Sequence, residues 1–253
     1  MRKVDFTRPT FGSWITIGNP IVAEIMAQAK FDWLVLDMEH SVISLENAQQ
    51  MIQTIESYNV IPLVRLSSND STQIKRVMDA GSYGVIVPMV NTSEDAKRAV
   101  DSVKYPPQGC RGVGLARAQK YGQGFEEYVE VVNRESTVIV QIEHIRAVEN
   151  IEEILSTPGI DGFIVGPYDL SGSMGVPGDF GHPKMLNALE YIYTTAKRLK
   201  VPAGFHIIQP DKEEVTKRQN EGFVFLALSL DIIYLGNFCR SFVNSSRNAQ
   251  KLY

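Results

Sequence analysis

The sequence predicts an α/β protein that folds as a (β/α)8 barrel of the TIM type, and three observations support this. Short apolar, β-branched runs alternate eight times with segments of helical periodicity. The runs are apolar throughout, as expected for parallel strands that are covered on both faces. The length of 253 residues matches the ~250 residues typical of such barrels. We therefore expect a single domain over residues 1–253, with an active site at the C-terminal ends of the strands.

Each predicted strand leads into a helix, and several of the helices have a clear start signal. The predicted strands are 13–17, 33–37, 61–66, 84–89, 138–142, 162–165, 203–206 and 223–228. The predicted helix caps are Asn19 followed by Pro20, then Ser44, then Thr92 or Ser93. The helical stripes that follow carry apolar residues at spacings of three and four. The alternation is therefore supported by local signals as well as by periodicity.

Two segments depart from the regular pattern. Residues 104–124 form a long stretch rich in Pro and Gly, which is either a plain loop or a lid that binds an anion or substrate. Its Gly109, Gly112 and Gly114 would let backbone amides approach such a ligand. The last predicted helix, 231–242, is apolar on several sides and needs more cover than one barrel face provides. We expect this helix to contact or exchange with another subunit.

Two carboxylates occupy corresponding places on consecutive predicted strands. Glu143 follows 138–142 and Asp169 follows 162–165, with a helical segment between them. A right-handed crossover makes the two strands parallel and brings both acids to one rim. Two oxygen ligands on one rim suit Mg²⁺ or Mn²⁺, which keep water or substrate in their other positions. The alternative is that both residues are ordinary acids at strand ends, solvated or capping the next helix.

Further polar residues converge on the same rim. His40 closes the sequence DMEH after the second strand, and histidine is the side chain most often used as a general base. Arg65 lies near the C-terminal end of the third strand, where it would either place a fixed positive charge in the site or pair with Asp37 or Asp79 as scaffolding. Gln141 is either a site residue or a filler of the barrel interior. No lysine ends a predicted strand, which favours a metal over a Schiff base.

Composition argues against several classes of protein. The formal charge of −4 and the scattered Lys and Arg residues provide no basic surface for nucleic acid. Cys110 and Cys239 are far apart and form no CxxC pair, which fits a reduced compartment. The N-terminus lacks the apolar core of a signal peptide, and no run approaches the ~18 apolar residues that span a bilayer. We expect a cytoplasmic protein without a membrane or nucleic-acid partner.

Six segments resemble the HpcH/HpaI aldolase family, the metal-dependent (class II) pyruvate aldolases. In order along the chain, they are FDWLVLDMEH, PLVRL, IKRVMDAGSYGVIVPMV, YPPQGCRGVG, VIVQIE and GPYDLSGSMG. The resemblance implies a barrel of the phosphoenolpyruvate/pyruvate-binding type. It also implies a divalent cation, Mg²⁺, Mn²⁺ or Co²⁺, and a homo-oligomer, often a hexamer, in which the last helix is exchanged between neighbours.

The resemblance also implies roles for residues that match the family's motifs. Glu143 in QIE and Asp169 in GPYDLS match the metal ligands, and Gln141 matches a residue near the bound keto acid. The resemblance also implies that Asp169 and its neighbour Tyr168 contact the substrate. Tyr168 stands where the family usually has a small residue whose backbone contacts substrate, so its ring is expected to narrow the pocket.

The remaining matches concern proton transfer and charge. His40 matches the catalytic base, and Arg65 matches the arginine that holds the pyruvate oxygen and stabilises its enolate. Asp79 in MDAG matches an acid that raises the basicity of the histidine. DMEH replaces the more usual DTEH, and GVGLARAQKYG is slightly shorter than the common lid sequence, so the aldehyde specificity does not carry over.

The resulting functional hypothesis is an aldolase that reversibly cleaves a 4-hydroxy-2-keto acid into pyruvate and an aldehyde. Two alternatives stand beside it. One is an acyl-CoA lyase of the citrate-lyase β-subunit type, which shares the enolate chemistry and would be identified by dependence on CoA. The other is a catalytically silent barrel that binds a keto acid. Against this alternative, the chain retains all four candidate site residues: His40, Arg65, Glu143 and Asp169.

Overall fold

Eight parallel strands close into a barrel in the computed structural model, which describes residues 1–250 and confirms the predicted fold class. Each strand pairs with its neighbour in sequence, and β8 pairs with β1 to complete the ring. The strands are β1 (Thr10–Ile15), β2 (Trp33–Asp37), β3 (Ile61–Arg65), β4 (Gly84–Val87), β5 (Thr137–Ile142), β6 (Gly162–Val165), β7 (Ala203–Ile207) and β8 (Phe225–Leu230). That residues 1–253 form one domain stays a prediction.

Helices surround the barrel, and three of them begin at the predicted N-cap residues. Asn19, Ser44 and Thr92 each cap a helix by accepting a backbone N–H, and Thr92 forms a full capping box with Asp95. The helices are α1 (Pro20–Gln28), α2 (Leu45–Ser57), α3 (Ser71–Asp79), α4 (Ser93–Val103), α5 (Phe125–Glu135), α6 (Ile145–Glu149), α7 (Ile151–Leu155), α8 (Pro167–Ser173), α9 (Pro183–Leu199), α10 (Lys212–Asn220) and α11 (Asp231–Gln250).

The apolar residues form two layers, one inside the barrel and one between the strands and helices. Alternate strand residues fill the interior, where they form one cluster that includes Trp14, Trp33, Val35, Leu63, Ile86, Ile139, Ile164 and Phe225. The intervening strand residues pack outward against the helices in a larger cluster. Successive side chains of a strand point alternately into and out of the barrel. Every second residue toward the C-terminal end of a strand therefore also points inward, up to the rim.

Two elements near β6 differ from the sequence prediction. The crossover from β5 to β6 consists of two short helices, α6 and α7, joined at Asn150. Directly after β6, residues 167–173 form α8, which we did not predict, so Asp169 lies in the first turn of a helix. A helix of seven residues is too short to show a clear apolar period. Pro167 at its first position is the local signal for its start.

The Pro- and Gly-rich segment 104–124 does not cover the active site of its own barrel, which corrects the lid hypothesis. It follows α4, which runs antiparallel to the strands and therefore returns the chain to the N-terminal end of the barrel. There the buried Arg111 pairs with Asp79 of α3, with Nη2 and Oδ1 2.5 Å apart. Arg111 also donates to the Tyr128 hydroxyl at 3.1 Å. The segment, which includes a 3-10 helix over Arg117–Gly122, thus lies at the opposite end of the barrel.

The C-terminal helix α11 contacts β1 and β8 and leaves large apolar side chains exposed. These include Ile232, Leu235, Phe238 and Phe242, which are at least half exposed. Among the helices of the described residues, none has both the length and the apolar character needed to cross a membrane.

Candidate active site

The top interior layer of the barrel is polar, in contrast to the apolar layers below it. Asp37 and Arg65 end their strands at positions that continue the interior rows of Val35 and Leu63. They are register partners across β2 and β3. Gln141 continues the interior row of β5 in the same way. The alternation that fills the barrel therefore also delivers these side chains to the C-terminal rim.

Arg65 is held by a bidentate ion pair. Its Nε and Nη2 donate to the two carboxylate oxygens of Asp37 at 2.9 and 2.6 Å. Burial by itself would raise the pKa of Asp37, but the hydrogen bonds and charge of Arg65 lower it below its usual value. The guanidinium carbon also lies 4.6 Å from the ring centroid of Trp14. This arrangement fixes a cation at the barrel mouth.

Asp37 also organises the turn that carries His40. Its Oδ1 accepts the backbone N–H groups of Glu39 and His40 at 3.0 and 3.2 Å. The carboxylate of Glu39 reaches back to Arg65, with Oε2 and Nη1 3.3 Å apart. The His40 side chain remains 65% exposed, with Nε2 3.7 Å from Glu39 Oε2. The imidazole is therefore placed at the rim with freedom to reach a bound molecule.

Glu143 follows β5 at the same barrel mouth and is almost fully buried. Its Oε1 accepts the backbone N–H of Met89 at 2.6 Å, and its Oε2 accepts from Nε2 of Gln141. Burial raises the pKa of Glu143 to about 6. The Met89 amide opposes this shift, while the negative charge of Glu39 adds to it. Met89 adopts a left-handed conformation, with φ of 53°, and strained residues of this kind cluster at functional sites.

The residues that match the family's metal ligands have donor chemistry that fits a hard divalent cation. Asp169 raises the pKa of both Glu39 and Glu143, so three acids repel one another at this mouth. A bound cation would relieve that repulsion. The buried Oε1 of Gln141 has no hydrogen-bond partner within residues 1–250. In that part of the chain no three His, Cys, Asp or Glu side chains form a ready metal cluster.

Gly166 provides the space that Glu143 occupies. A Cβ at this position would lie 2.8 Å from Glu143 Oε2, 2.9 Å from Glu143 Cβ and 3.1 Å from Gln141 Nε2. The backbone of Gly166 is extended, with φ of −94°, so its requirement for glycine is steric. The first residue of the GPYD sequence is therefore part of the site geometry.

We expect Gly166→Ala to lower kcat/KM at least about tenfold by displacing the Glu143 carboxylate, and to lower stability by about 1–3 kcal/mol through overpacking. Steady-state kinetics and thermal unfolding measure the two effects. Gly172→Ala in α8 is the matched control, because a Cβ there has no neighbour within 4 Å. Equal activity of the two variants would contradict this role of Gly166.

Not all the predicted residues lie together. Asp79, at the C-terminal end of α3, contacts Arg111 and Gln119 at the N-terminal end of the barrel, so within one protomer it is not brought to His40. Tyr168 lies at the rim beside Asp169, 68% exposed. Its ring packs edge to face against Phe180, with centroids 4.9 Å apart.

Sequence reasoning missed the groups that support the site. Trp14 beneath Arg65 and the Met89 amide that donates to Glu143 were not predicted as site residues. Trp14 had an available signal, since it is the one aromatic residue in the first predicted strand, 13–17. The Met89 amide had none, because a backbone group held in a left-handed turn is not encoded by a motif.

The chain is similar to known aldolases over most of its length. The family model described as HpcH/HpaI aldolase/citrate lyase matches residues 10–237. A pyruvate aldolase of Rhizobium etli is 37% identical over 92% of this chain and 91% of its own length. A 4-hydroxy-2-oxo-heptane-1,7-dioate aldolase of Shigella sonnei is 37% identical over 90% and 87%. The crystal structure of a family protein from Burkholderia cenocepacia superposes with a TM-score of 0.89, at 30% identity over 95% of both chains.

Proposed function

The chain belongs to the HpcH/HpaI aldolase/citrate lyase family, and we propose that it reversibly cleaves a 4-hydroxy-2-keto acid into pyruvate and an aldehyde. It is a carbon–carbon lyase of the aldolase type, as its named relatives are. The observation that carries the proposal is the presence at one barrel mouth of both a fixed cation, Arg65, and the buried carboxylate of Glu143.

Cleavage of the C3–C4 bond leaves an enolate of pyruvate, so the site must stabilise negative charge on the keto oxygen as it develops. In our proposal the Nη1 group of Arg65, which also lies 3.3 Å from Glu39 Oε2, faces that oxygen, while Nε and Nη2 donate to Asp37. The bidentate pair and the Trp14 ring hold the guanidinium before substrate arrives. Preorganised charge of this kind costs no rearrangement during the reaction.

We propose that Glu143 and Asp169 hold a divalent cation, with Gln141 beside the bound keto acid. When bound, the cation would supply Lewis-acid charge to the keto group. His40 would remove the proton from the C4 hydroxyl as the bond breaks, and return a proton in the condensation direction. The exposed rim position of its imidazole supports access to that hydroxyl.

The strand composition supports this route over a Schiff base. Within the described residues, no lysine lies on any of the eight strands. A Schiff-base mechanism needs a lysine amine at the catalytic rim.

The direct test is cleavage of a 4-hydroxy-2-keto acid by the purified protein with Mn²⁺, following pyruvate by its reduction with lactate dehydrogenase. We expect pyruvate release that EDTA abolishes and that added Mn²⁺ restores. Pyruvate release that persists at full rate in EDTA would refute the proposed cation dependence.

Thermal unfolding provides a test that does not require turnover. The pKa of Glu143 is raised from 4.5 to about 6 in the folded protein. Its contribution to stability is therefore fully present below pH 4.5 and is lost as the pH rises through 6. A cation offsets that loss only where Glu143 is ionised. We expect Mn²⁺ to raise the unfolding midpoint more at pH 7.5 than at pH 5.0, and Glu143→Gln to remove most of the difference. Equal Mn²⁺ effects at both pH values in the unmodified protein would contradict the assignment.

We also propose that the exposed face of α11 is covered in a homo-oligomer, as the resemblance implies. Ile232, Leu235, Phe238 and Phe242 form an apolar surface that is unusual for a monomer in water. Sedimentation equilibrium is expected to show a homo-oligomer, with the hexamer as the family expectation. Replacing Leu235 and Phe238 by Ser is expected to shift the protein toward smaller species. A purely monomeric unmodified protein would contradict this proposal.

A further inference from the structure

The first residue of α11, Asp231, is tied to the loop that follows β1. This residue is only 5% exposed. Its Oδ2 accepts the backbone N–H groups of Thr16 and Ile17 at 2.9 and 2.8 Å. Its Oδ1 accepts the Thr16 hydroxyl and the Ile232 N–H, both at 2.8 Å. Only the last of these bonds lies within α11. The carboxylate therefore serves mainly to hold residues 16–19, which we call the β1–α1 loop.

The β1–α1 loop packs against the turn that carries His40. A Cβ added at Gly18 would lie 3.4 Å from Ile43 Cγ1 and 3.7 Å from Ile43 Cα, so the loop and Ile43 are in contact. Ile43 is buried, and its backbone N–H donates to the Ser41 hydroxyl at 3.1 Å. That hydroxyl donates in turn to the carbonyl oxygen of Asp37. Because His40 lies between these residues, the position of the loop bears on the placement of the proposed base.

The same loop continues the strand that supports Arg65. Trp14 lies two residues before Thr16, and its ring centroid is 4.6 Å from the guanidinium carbon of Arg65. β1 ends one residue before Thr16, so Asp231 fixes the chain directly beyond the strand. Arg65 and His40 are thus both supported by elements that the Asp231 carboxylate holds in place.

The helix that begins at Asp231 is tied to the barrel at its first turn and exposes apolar side chains beyond it. The Tyr234 hydroxyl donates to the carbonyl oxygen of Leu228 in β8 at 2.7 Å, which adds a second tie. Leu235 and Phe238, further along, are 61% and 72% exposed. In the proposed homo-oligomer a second copy covers these side chains and so fixes the direction of the helix. Since the buried carboxylate lies at the tied end, it links that direction to the β1–α1 loop.

We propose that Asp231 is a positioning residue that couples the docking of α11 to the active site. When α11 is docked on a second copy, Asp231 holds the β1–α1 loop in the position that places His40 and supports Arg65. A displacement of about 1 Å at a reacting group can lower a rate by about 10²-fold. This inference rests on the proposed aldolase function and homo-oligomer, and it assigns a role in that reaction to a residue outside the barrel mouth.

The test is a double-mutant cycle that measures kcat/KM for keto-acid cleavage with Mn²⁺. Asp231→Asn keeps the size of the side chain but replaces one acceptor oxygen by an NH2 group, so the bonds on one side of the carboxylate are lost. Replacing Leu235 and Phe238 by Ser weakens the docking of α11. We expect each change to lower kcat/KM by about tenfold or more. Combined, they should lower it by no more than about threefold beyond the larger single effect, because both remove the same coupling.

The matched control is Asp211→Asn at the N-cap of α10, where Oδ1 accepts the Glu214 N–H at 2.8 Å. Asparagine is an equally good cap, so this variant should retain activity. Thr16→Val removes only the hydroxyl bond to Asp231 and is expected to lower kcat/KM by about threefold. This milder variant keeps the proposal testable if Asp231→Asn does not fold, which circular dichroism establishes.

Three results would overturn the coupling while the unmodified protein still cleaves the keto acid. They are full activity of Asp231→Asn, full activity of the Leu235 and Phe238 variant once sedimentation shows it to be dissociated, and additive losses in the combined variant. A monomeric unmodified protein would refute the homo-oligomer and the coupling together. Absence of both cleavage and pyruvate methyl exchange in the unmodified protein would refute the aldolase proposal itself, and the coupling with it.

Discussion

Glu143→Gln is expected to reduce metal-dependent turnover by about 10³-fold or more, the largest effect of any single substitution considered. Glutamine keeps the size of the side chain and its contact with the Met89 amide, but it removes the charge that would hold a divalent cation. The loss should appear in kcat/KM for keto-acid cleavage and in exchange of the pyruvate methyl protons.

The matched control is Glu149→Gln, at an exposed position in the helix that follows β5. It changes the net charge by the same amount and should retain activity. Circular dichroism of both variants establishes that the fold is intact. Activity of Glu143→Gln equal to that of the control would remove Glu143 from the site.

Arg65→Lys is expected to lower kcat/KM by about 10²-fold or more even though the charge is kept. Lysine cannot donate to both oxygens of Asp37 and reach substrate at the same time, as the Arg65 fork can. It also leaves part of a buried carboxylate unpaired, which should cost about 1–3 kcal/mol of stability. Steady-state kinetics and denaturant unfolding separate the two effects.

Arg146→Lys tests whether the loss is specific, since Arg146 is exposed after β5 and has no place in the proposed chemistry. It should retain activity and stability. Comparable kinetics for Arg65→Lys and Arg146→Lys would show that the bidentate geometry at Arg65 is not required.

The strands that carry the site could be predicted because their signal is strong and local. Trp33–Asp37 and Gly162–Val165 have the bounds that apolar periodicity predicts. Arg65 and Glu143 could be recognised because a charged residue that ends an apolar strand of a parallel barrel must emerge at the C-terminal rim. The scaffolding alternative for Arg65 was also partly correct, since it does pair with Asp37.

The remaining features depend on three-dimensional context. The position of segment 104–124 follows from the direction of α4 and from the Arg111–Asp79 pair, which no local pattern indicates. The same pair explains why Asp79 is not near His40 within a protomer. Gly166 looked like an ordinary glycine after a strand, and its role emerges only from the packing of Glu143 and Gln141. The left-handed Met89 and Ser229 were not predicted, because backbone strain is imposed by the surrounding structure.

The most direct measurement is exchange of the pyruvate methyl protons in D₂O, followed by proton NMR with and without Mn²⁺. It requires no knowledge of the aldehyde, because forming the enolate of pyruvate is sufficient to exchange the protons. We predict loss of the methyl signal with Mn²⁺, no loss after chelation with EDTA, and no loss with Glu143→Gln. Exchange that persists after chelation would contradict the metal-dependent route, and absence of exchange under every condition would contradict enolate formation at the Arg65 and Glu143 site.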